Sequence, residues 1–268
     1  MPQELNDAWD NRKAFENRDS WYASCHERSQ AFAASADFSL DHTYGPKPRN
    51  RIDVLKGNPA MPTLFHIHGG YWQWNDKEDY WCAGEAAHGQ GLNIAVVEHT
   101  LAPEASIAEI VAEIRAGLEW YRANRESFGI TCSDIIVSGH SSGGHLASLC
   151  QGEEDVIGTV LVSGIYDLRP ITKIYVNDVV GMDADTAEHY SPALRPRNYG
   201  NFAIIAFGAE ELETFRYQSR AYHGLLSDTG MKADLVEVPG RNHFDVLDEL
   251  MDEDGTILNA LTHMLGSG

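Results

Sequence analysis

An α/β fold is predicted, a mostly parallel central sheet with helices on both faces, and three observations predict it. From about residue 50, short apolar, β-branched runs alternate with longer stretches of helical pattern, the order produced by parallel strands joined through crossover helices. The runs are apolar throughout instead of alternating, as strands covered on both faces are. The chain has 268 residues, 43% of them apolar and 22% charged, enough to bury one sizeable core across 1–268.

In chain order, residues 1–35 are polar and mixed and read as a helical N-terminal arm. Strands are expected at 62–67, 93–98, 134–138, 159–163, 203–207 and 233–238, all as buried central strands. Ile107, Ile110, Val111, Ile114, Leu118 and Tyr121 recur at helical spacing and predict a helix over 106–128. Two more helices are expected at 143–150 and 246–265. Residues 166–200 hold Pro170, Pro192 and Pro196 and no clean strand.

Acidic residues outnumber basic ones 40 to 20, a formal charge of −20. Such a surface repels phosphate backbones and anionic headgroups, which argues against nucleic-acid or membrane-surface partners and leaves the chemistry open. A small-molecule substrate is the expected partner, with a homo-oligomer, dimer or tetramer, as a further expectation. The N-terminus is charged where a signal peptide needs an apolar run, and no stretch approaches the ~20 apolar residues of a membrane span. Cys25, Cys82, Cys132 and Cys150 show no paired spacing and read as reduced, mostly buried thiols. A cytoplasmic location is therefore expected.

The chemistry starts at Gly139-His140-Ser141-Ser142-Gly143, between the run at 134–138 and the helix expected at 143–150. A bare GxSxG pattern is common by chance, but strand, sharp turn and helix are the context it needs. The residues two before and two after the serine must be small for the chain to pass itself, and both are glycine. Such a turn lifts the Ser141 hydroxyl above the sheet, with the following helix N-terminus aimed at developing negative charge.

A serine hydroxyl needs a base, and His243 stands after the last expected strand, where chain order puts it. A carboxylate should follow the preceding strand. Glu210, Glu211 and Glu213 compete there, Asp167 is a candidate one strand earlier, and spacing does not choose among them. His66-Ile67-His68-Gly69-Gly70-Tyr71-Trp72 follows the run at 62–67, and its glycines suit a loop offering backbone N–H groups to an oxyanion. Gly69, Gly70 and Ser142 are the candidate donors. His66, His68, His140 and His145 lack a third ligand at a metal-binding spacing, so they read as structural hydrogen-bonding groups and no metal or cofactor is expected.

With these blocks in place, the chain resembles the arylformamidase (kynurenine formamidase) branch of the α/β-hydrolase esterases over roughly residues 40–250. The resemblance rests on His68-Gly69-Gly70-Tyr71-Trp72-Gln73, the elbow 139–146, the segment 163–171, Ser191-Pro192, the segment 208–215 with Gln218-Ser219, and Asn242-His243-Phe244. In that family the acid stands four residues before a phenylalanine and seven before a Gln-Ser pair. Phe215 and Gln218 then imply Glu211, a departure from the frequent aspartate. Ser142-Gly143-Gly144 departs from the usual Ala-Gly-Ala. The resemblance also implies a small cap at 166–200 and substrate contacts at Tyr71, Trp72 and Asn177, with Tyr44 and Tyr175 as further candidates facing the pocket.

The expected activity is cleavage of a small ester or amide through an acyl-enzyme, N-formylkynurenine being one substrate the resemblance implies. A specialised catabolic amidase or esterase on another small substrate is the alternative within the class. A non-catalytic ligand-binding protein on the same fold is the alternative outside it, since fold alone does not fix function.

Overall fold

The computed structural model describes residues 3–266. The chain opens with helices α1 (Gln3–Asp7), α2 (Asn11–Ala14) and α3 (Arg18–Ser35). Eight strands follow: β1 (Ser39–Thr43), β2 (Arg51–Leu55), β3 (Thr63–Ile67), β4 (Asn93–Val97), β5 (Ile135–His140), β6 (Val156–Val162), β7 (Phe202–Gly208) and β8 (Lys232–Val238). They form one sheet in the order β1-β2-β4-β3-β5-β6-β7-β8. β3 to β8 run parallel, while β1 and β2 join antiparallel at one edge.

The six strands expected from apolar runs are β3 to β8. β1 and β2 were not expected, because Ser39-Leu40-Asp41-His42-Thr43 and Arg51-Ile52-Asp53-Val54-Leu55 interleave polar residues. Pairing at the margin of a sheet requires mainly backbone groups. β8 corrects the expectation of buried central strands. It is the opposite edge, and Lys232, Asp234 and Glu237 on it are exposed, as suits a strand with one open side.

Alternate strand residues point to opposite faces. Phe65, Ile67, Val97, Val137, Leu161 and Ile205 belong to one core. On that face lie α5 (Ile107–Asn124), α6 (Ser142–Ser148) and α9 (Glu213–Asp228), which follow α4 (Glu85–Gly89) in the chain together with α7 (Asn177–Val180) and α8 (Ala184–His189). Leu64, Ile94, Val96, Ile136, Val160 and Ile204 belong to the other core. It is covered by α3, α4, α10 (Asp248–Met251) and α11 (Thr256–Gly266). The helix α9 went unread because its inward face includes Gln218 and Ser219 beside Phe215, Tyr222 and Leu226. The helix expected at 246–265 is broken at Gly255, where a Cβ would meet the Glu249 carbonyl oxygen at 2.2 Å. Glu249 instead accepts from the Thr256 N–H at 2.9 Å, starting α11 afresh.

The arm crosses from one core to the other. Trp9 packs with the α5 side and edge-on to Phe215 at 5.3 Å, whereas Trp21, Cys25 and Phe32 of α3 pack on the opposite side. Between them the arm passes over the carboxyl ends of the parallel strands. Within the core on the α3 side, Cys25 and Cys82 meet with sulfurs 3.2 Å apart. A search for paired spacing misses this contact because 57 residues separate the two.

Candidate active site

All the candidate groups follow carboxyl ends of parallel strands, where an open α/β sheet leaves its crevice. Ser141 follows β5 directly, with φ 55° and ψ −120°, left-handed geometry rare for a side-chain-bearing residue. A Cβ on Gly139 would lie 2.2 Å from the Gly143 carbonyl oxygen, and one on Gly143 would lie 2.2 Å from that of Ile67. Both positions therefore require glycine. The Ser141 N–H donates to the Val162 carbonyl at 2.8 Å, tying the turn to β6.

His243 follows β8 and is 3% exposed. Its Nδ1–H donates to Glu211 Oε2 at 3.0 Å, which leaves Nε2 as an acceptor 3.0 Å from the Ser141 hydroxyl. The ring is held by Phe215, with centroids 4.5 Å apart. The His243 carbonyl accepts from His140 Nε2 at 2.7 Å. Glu211 follows β7 and is buried, and its Oε1 accepts from the Ser163 hydroxyl at 2.5 Å and the Gly208 N–H at 2.6 Å. The competing carboxylates lie elsewhere. Glu210 and Glu213 are exposed, Glu213 pairing with Arg216, and Asp167 is engaged by Arg169. Ser163, which fixes the second oxygen of Glu211, was missed. Its signal was a serine at the end of β6, itself at φ 52°.

The loop after β3 holds three successive left-handed residues, Gly70, Tyr71 and Trp72, at φ 117°, 50° and 61°. The Gly70 carbonyl accepts from the Gln73 and Trp74 N–H groups at 2.9 and 3.0 Å. Among the described residues the N–H groups of Gly70 and Ser142 have no acceptor, so both are free for an oxyanion. Gly69 does not line the cavity. It packs beneath the elbow, where a Cβ would lie 2.7 Å from the His140 carbonyl.

Ser141 and His243 open into a cavity of about 230 Å³. Its walls come from the loop after β3, from His140 and Phe244, and from the arm through Asn11, Arg12, Arg18, Asp19 and Tyr22. No residue of 166–200 is among them. The covering role expected of that segment falls to the arm, and 166–200 supports the site from the side, Gln73 Nε2 donating to the Val176 carbonyl at 2.9 Å.

Of the expected substrate contacts, Tyr71 lines the cavity, with its hydroxyl donating to the Trp9 carbonyl at 2.7 Å. Trp72 does not, being 1% exposed and edge-on to His145 at 5.3 Å. Asn177 does not either. Its amide closes its own turn, accepting from the Met182 N–H at 2.8 Å and donating to the Met182 carbonyl at 2.9 Å. Tyr44 and Tyr175 also lie off the cavity, Tyr44 donating to the Glu98 carbonyl at 2.5 Å.

The arm residues were missed because only tertiary packing brings them to the site. Asn11 is 2% exposed, and both polar atoms of its amide lack a hydrogen-bond partner among the described residues. Arg12 lies 4.5 Å over the ring of Trp74, and Arg18 pairs with Asp19 at 2.6 Å.

Burial dominates the histidine electrostatics. It pushes His66 down to about 3, His145 to about 4 and His140 well below its ordinary value. His66 Nδ1 meets the Ser138 hydroxyl at 2.9 Å, and His145 Nε2 donates to the Tyr190 carbonyl at 2.8 Å. Each of these rings has one nitrogen hydrogen-bonded within the fold and the other without a partner among the described residues, and no cluster of three or more metal-ligating side chains occurs among the described residues.

The sheet order is that of the α/β-hydrolase fold, and the chain is a hydrolase whose relatives include kynurenine formamidases and esterases. The chain is 27% identical to the kynurenine formamidase of Danio rerio over 243 residues, covering 85% of this chain and 82% of that protein. It is 28% identical to that of Salmo salar, covering 90% and 85%. A family profile described as BD-FAE matches residues 54–181. Among solved structures, a Silicibacter protein provisionally named a thioesterase superposes with TM-score 0.86 at 26% identity, covering 97% of this chain and 99% of that one. The thermostable carboxylesterase EstE1, from a metagenomic library, shares the fold at TM-score 0.72 and 18% identity, covering 95% and 97%.

Proposed function

We propose that the chain hydrolyses a small ester or amide through an acyl-enzyme, with Ser141 as nucleophile, His243 as general base and Glu211 as its orienting acid. The observation that carries this is the hydrogen-bond chain Ser141–His243–Glu211, with both links at 3.0 Å, opening on a cavity below the ~300–1,000 Å³ of drug-sized sites.

Ser141 Oγ attacks the substrate carbonyl carbon while its proton passes to His243 Nε2. The resulting oxyanion accepts from the N–H groups of Gly70 and Ser142. His243 returns the proton to the leaving oxygen or nitrogen, whose bond to carbon breaks, and the acyl group stays on Ser141. Water then gives a proton to His243 and attacks the acyl carbon. Ser141 regains its proton as the acid leaves, formate in the case of a formamide.

The kynurenine formamidases among the relatives favour an aryl formamide, N-formylkynurenine among them. A general carboxylesterase, or an amidase for another small substrate, fits the same residues. Side-by-side kinetics with N-formylkynurenine, short p-nitrophenyl esters and small amides decides, and the highest kcat/KM identifies the class. A fluorophosphonate is expected to form an adduct at Ser141. Ser141→Ala is expected to lose turnover with its Tm unchanged within a few degrees. A wild-type protein that forms no adduct and turns over none of these substrates would be a binding protein on this fold.

A further inference from the structure

His68 is fully buried behind the oxyanion loop, and both of its ring nitrogens face acceptors. Nδ1 lies 2.8 Å from the Gly69 carbonyl oxygen, and Nε2 lies 2.8 Å from Glu98 Oε1. A carbonyl cannot donate. Glu98 is a carboxylate, because it is surrounded by donors: Arg49 Nη2 at 2.7 Å, the His99 N–H at 2.8 Å and the Lys77 N–H at 2.9 Å. A neutral imidazole has one N–H and would leave one of these two short contacts as a lone pair facing a lone pair. The ring therefore carries both protons.

We propose that His68 is a permanent imidazolium, held by Glu98, that positions and polarises the Gly69–Gly70 peptide so that the Gly70 N–H is a strong oxyanion donor. The carbonyl of Gly69 and the N–H of Gly70 belong to one peptide unit. Fixing the carbonyl fixes the direction of the N–H, and a charged donor on the carbonyl strengthens the N–H at the other end. Asn75 Nδ2 adds a second donor to the same carbonyl at 3.2 Å. The loop is thus clamped through the Gly69 carbonyl, and the Gly70 N–H is left free.

Every charged or titratable group packed on the ring fits this assignment. Burial alone would depress His68, and the Glu98 carboxylate reverses this and raises it. His99 is stacked on the ring at 4.6 Å and His66 neighbours it on β3. Both are pushed down to about 3, first by burial and then by the positive charge of His68. Tyr80 flanks the ring at 5.9 Å with its phenol protonated, and Arg49 lies behind Glu98. Of the three histidines, only His68 is charged.

His68 acts through the Gly70 N–H, so it is a positioning residue, and the inference rests on the hydrolase reading above. Removing an oxyanion donor outright costs about 10²–10³ in kcat. Weakening one through Glu98→Gln is expected to cost about 10- to 100-fold in kcat with KM changed less than about threefold. Without the Glu98 charge His68 loses its proton more readily, so the fall of kcat at alkaline pH moves to lower pH by at least about one unit. Glu98→Asp, which keeps the charge, restores part of kcat and of the wild-type pH profile.

In ¹⁵N-histidine-labelled wild-type protein, the His68 ring is assigned through its contacts with Tyr80 and His99. It is expected to show both nitrogens protonated at pH 7.5, and this reads the charge state even if the Glu98 variants do not fold. A neutral His68 in that spectrum overturns the proposal, as does a Glu98→Gln enzyme with unchanged kcat and alkaline limb. If wild-type Ser141 takes no fluorophosphonate, the hydrolase reading fails by itself, and the spectrum still reports on the imidazolium.

Discussion

Glu210 and Glu211 are neighbours in the chain and opposites in environment, one exposed and the other 4% exposed with both oxygens engaged. Glu211→Gln is therefore expected to lower kcat by several hundredfold or more, because an amide cannot hold the same His243 tautomer. Glu210→Gln, Glu213→Gln and Asp167→Asn should each stay within about threefold of wild type. Equal losses across these variants in a steady-state assay would remove Glu211 from its role. Asn11 makes a different prediction. A buried amide with two unpaired polar atoms costs about 1–3 kcal/mol, so Asn11→Leu should raise Tm. It should also raise KM for substrates bearing hydrogen-bonding groups more than for p-nitrophenyl acetate. Thermal melts and kinetics on the two substrate types check both halves.

At the scale of elements, the arm covers the site and belongs to both cores. Its α1–α2 part is anchored by Trp9, which lies against Phe215, and Phe215 in turn packs on His243. The Trp9 carbonyl also receives the Tyr71 hydroxyl. Trp9→Ala should cost about 3–5 kcal/mol in denaturant unfolding, the usual range for emptying a buried tryptophan site. KM should rise as well, because the cavity loses the support of one wall. Unchanged KM in a folded Trp9→Ala protein would show that the arm is not part of the binding surface. The elbow is the opposite case, an element held by what it lacks. Gly143→Ala would press a methyl group against the Ile67 and His68 carbonyls at 2.2 and 2.5 Å, and it is expected to lose soluble expression or nearly all activity.

At the scale of the whole molecule, acid sensitivity follows from the buried histidines. His66, His99, His140 and His145 are all depressed by burial. An unfolded chain would protonate them near pH 6.5, whereas the folded protein holds them neutral. Stability from this source is complete above about pH 6.5 and is lost as pH falls toward 4 to 3, at up to about 1.4 kcal/mol per pH unit per group. Glu98, which is lowered in the fold by His68 against the opposing effect of burial, adds to the loss below about pH 4.5. Raised His68 acts in the opposite sense, contributing below pH 6.5 and lost as pH rises through its folded value. Tm should therefore fall steeply between pH 6 and 4. A flat Tm over that interval would contradict neutral burial of the four.

Local signals carried much of this protein. Apolar runs marked β3 to β7, because a strand covered on both faces must be apolar along its length, while β8 was legible only by its partly apolar run. The glycines at 139 and 143 were legible because the turn between β5 and α6 has no room for a side chain. The sequence also determined where along the chain a serine, a carboxylate and a histidine follow successive strands. The tertiary structure decided which carboxylate reaches His243, since three glutamates within four positions differ only in the direction their side chains take from the turn after β7. It decided that the arm, and not 166–200, walls the cavity, and that Trp72 and Asn177 turn away from it. It also decided that β8 is an edge and that His68 stands between two acceptors. Many of these contacts join residues 30 or more positions apart, such as His68 with Glu98 and Glu211 with His243, and residue order cannot report them. Ser141, singled out by its local motif, was legible in the sequence, while the groups arranged around it became visible only once the sheet had brought its strand ends together.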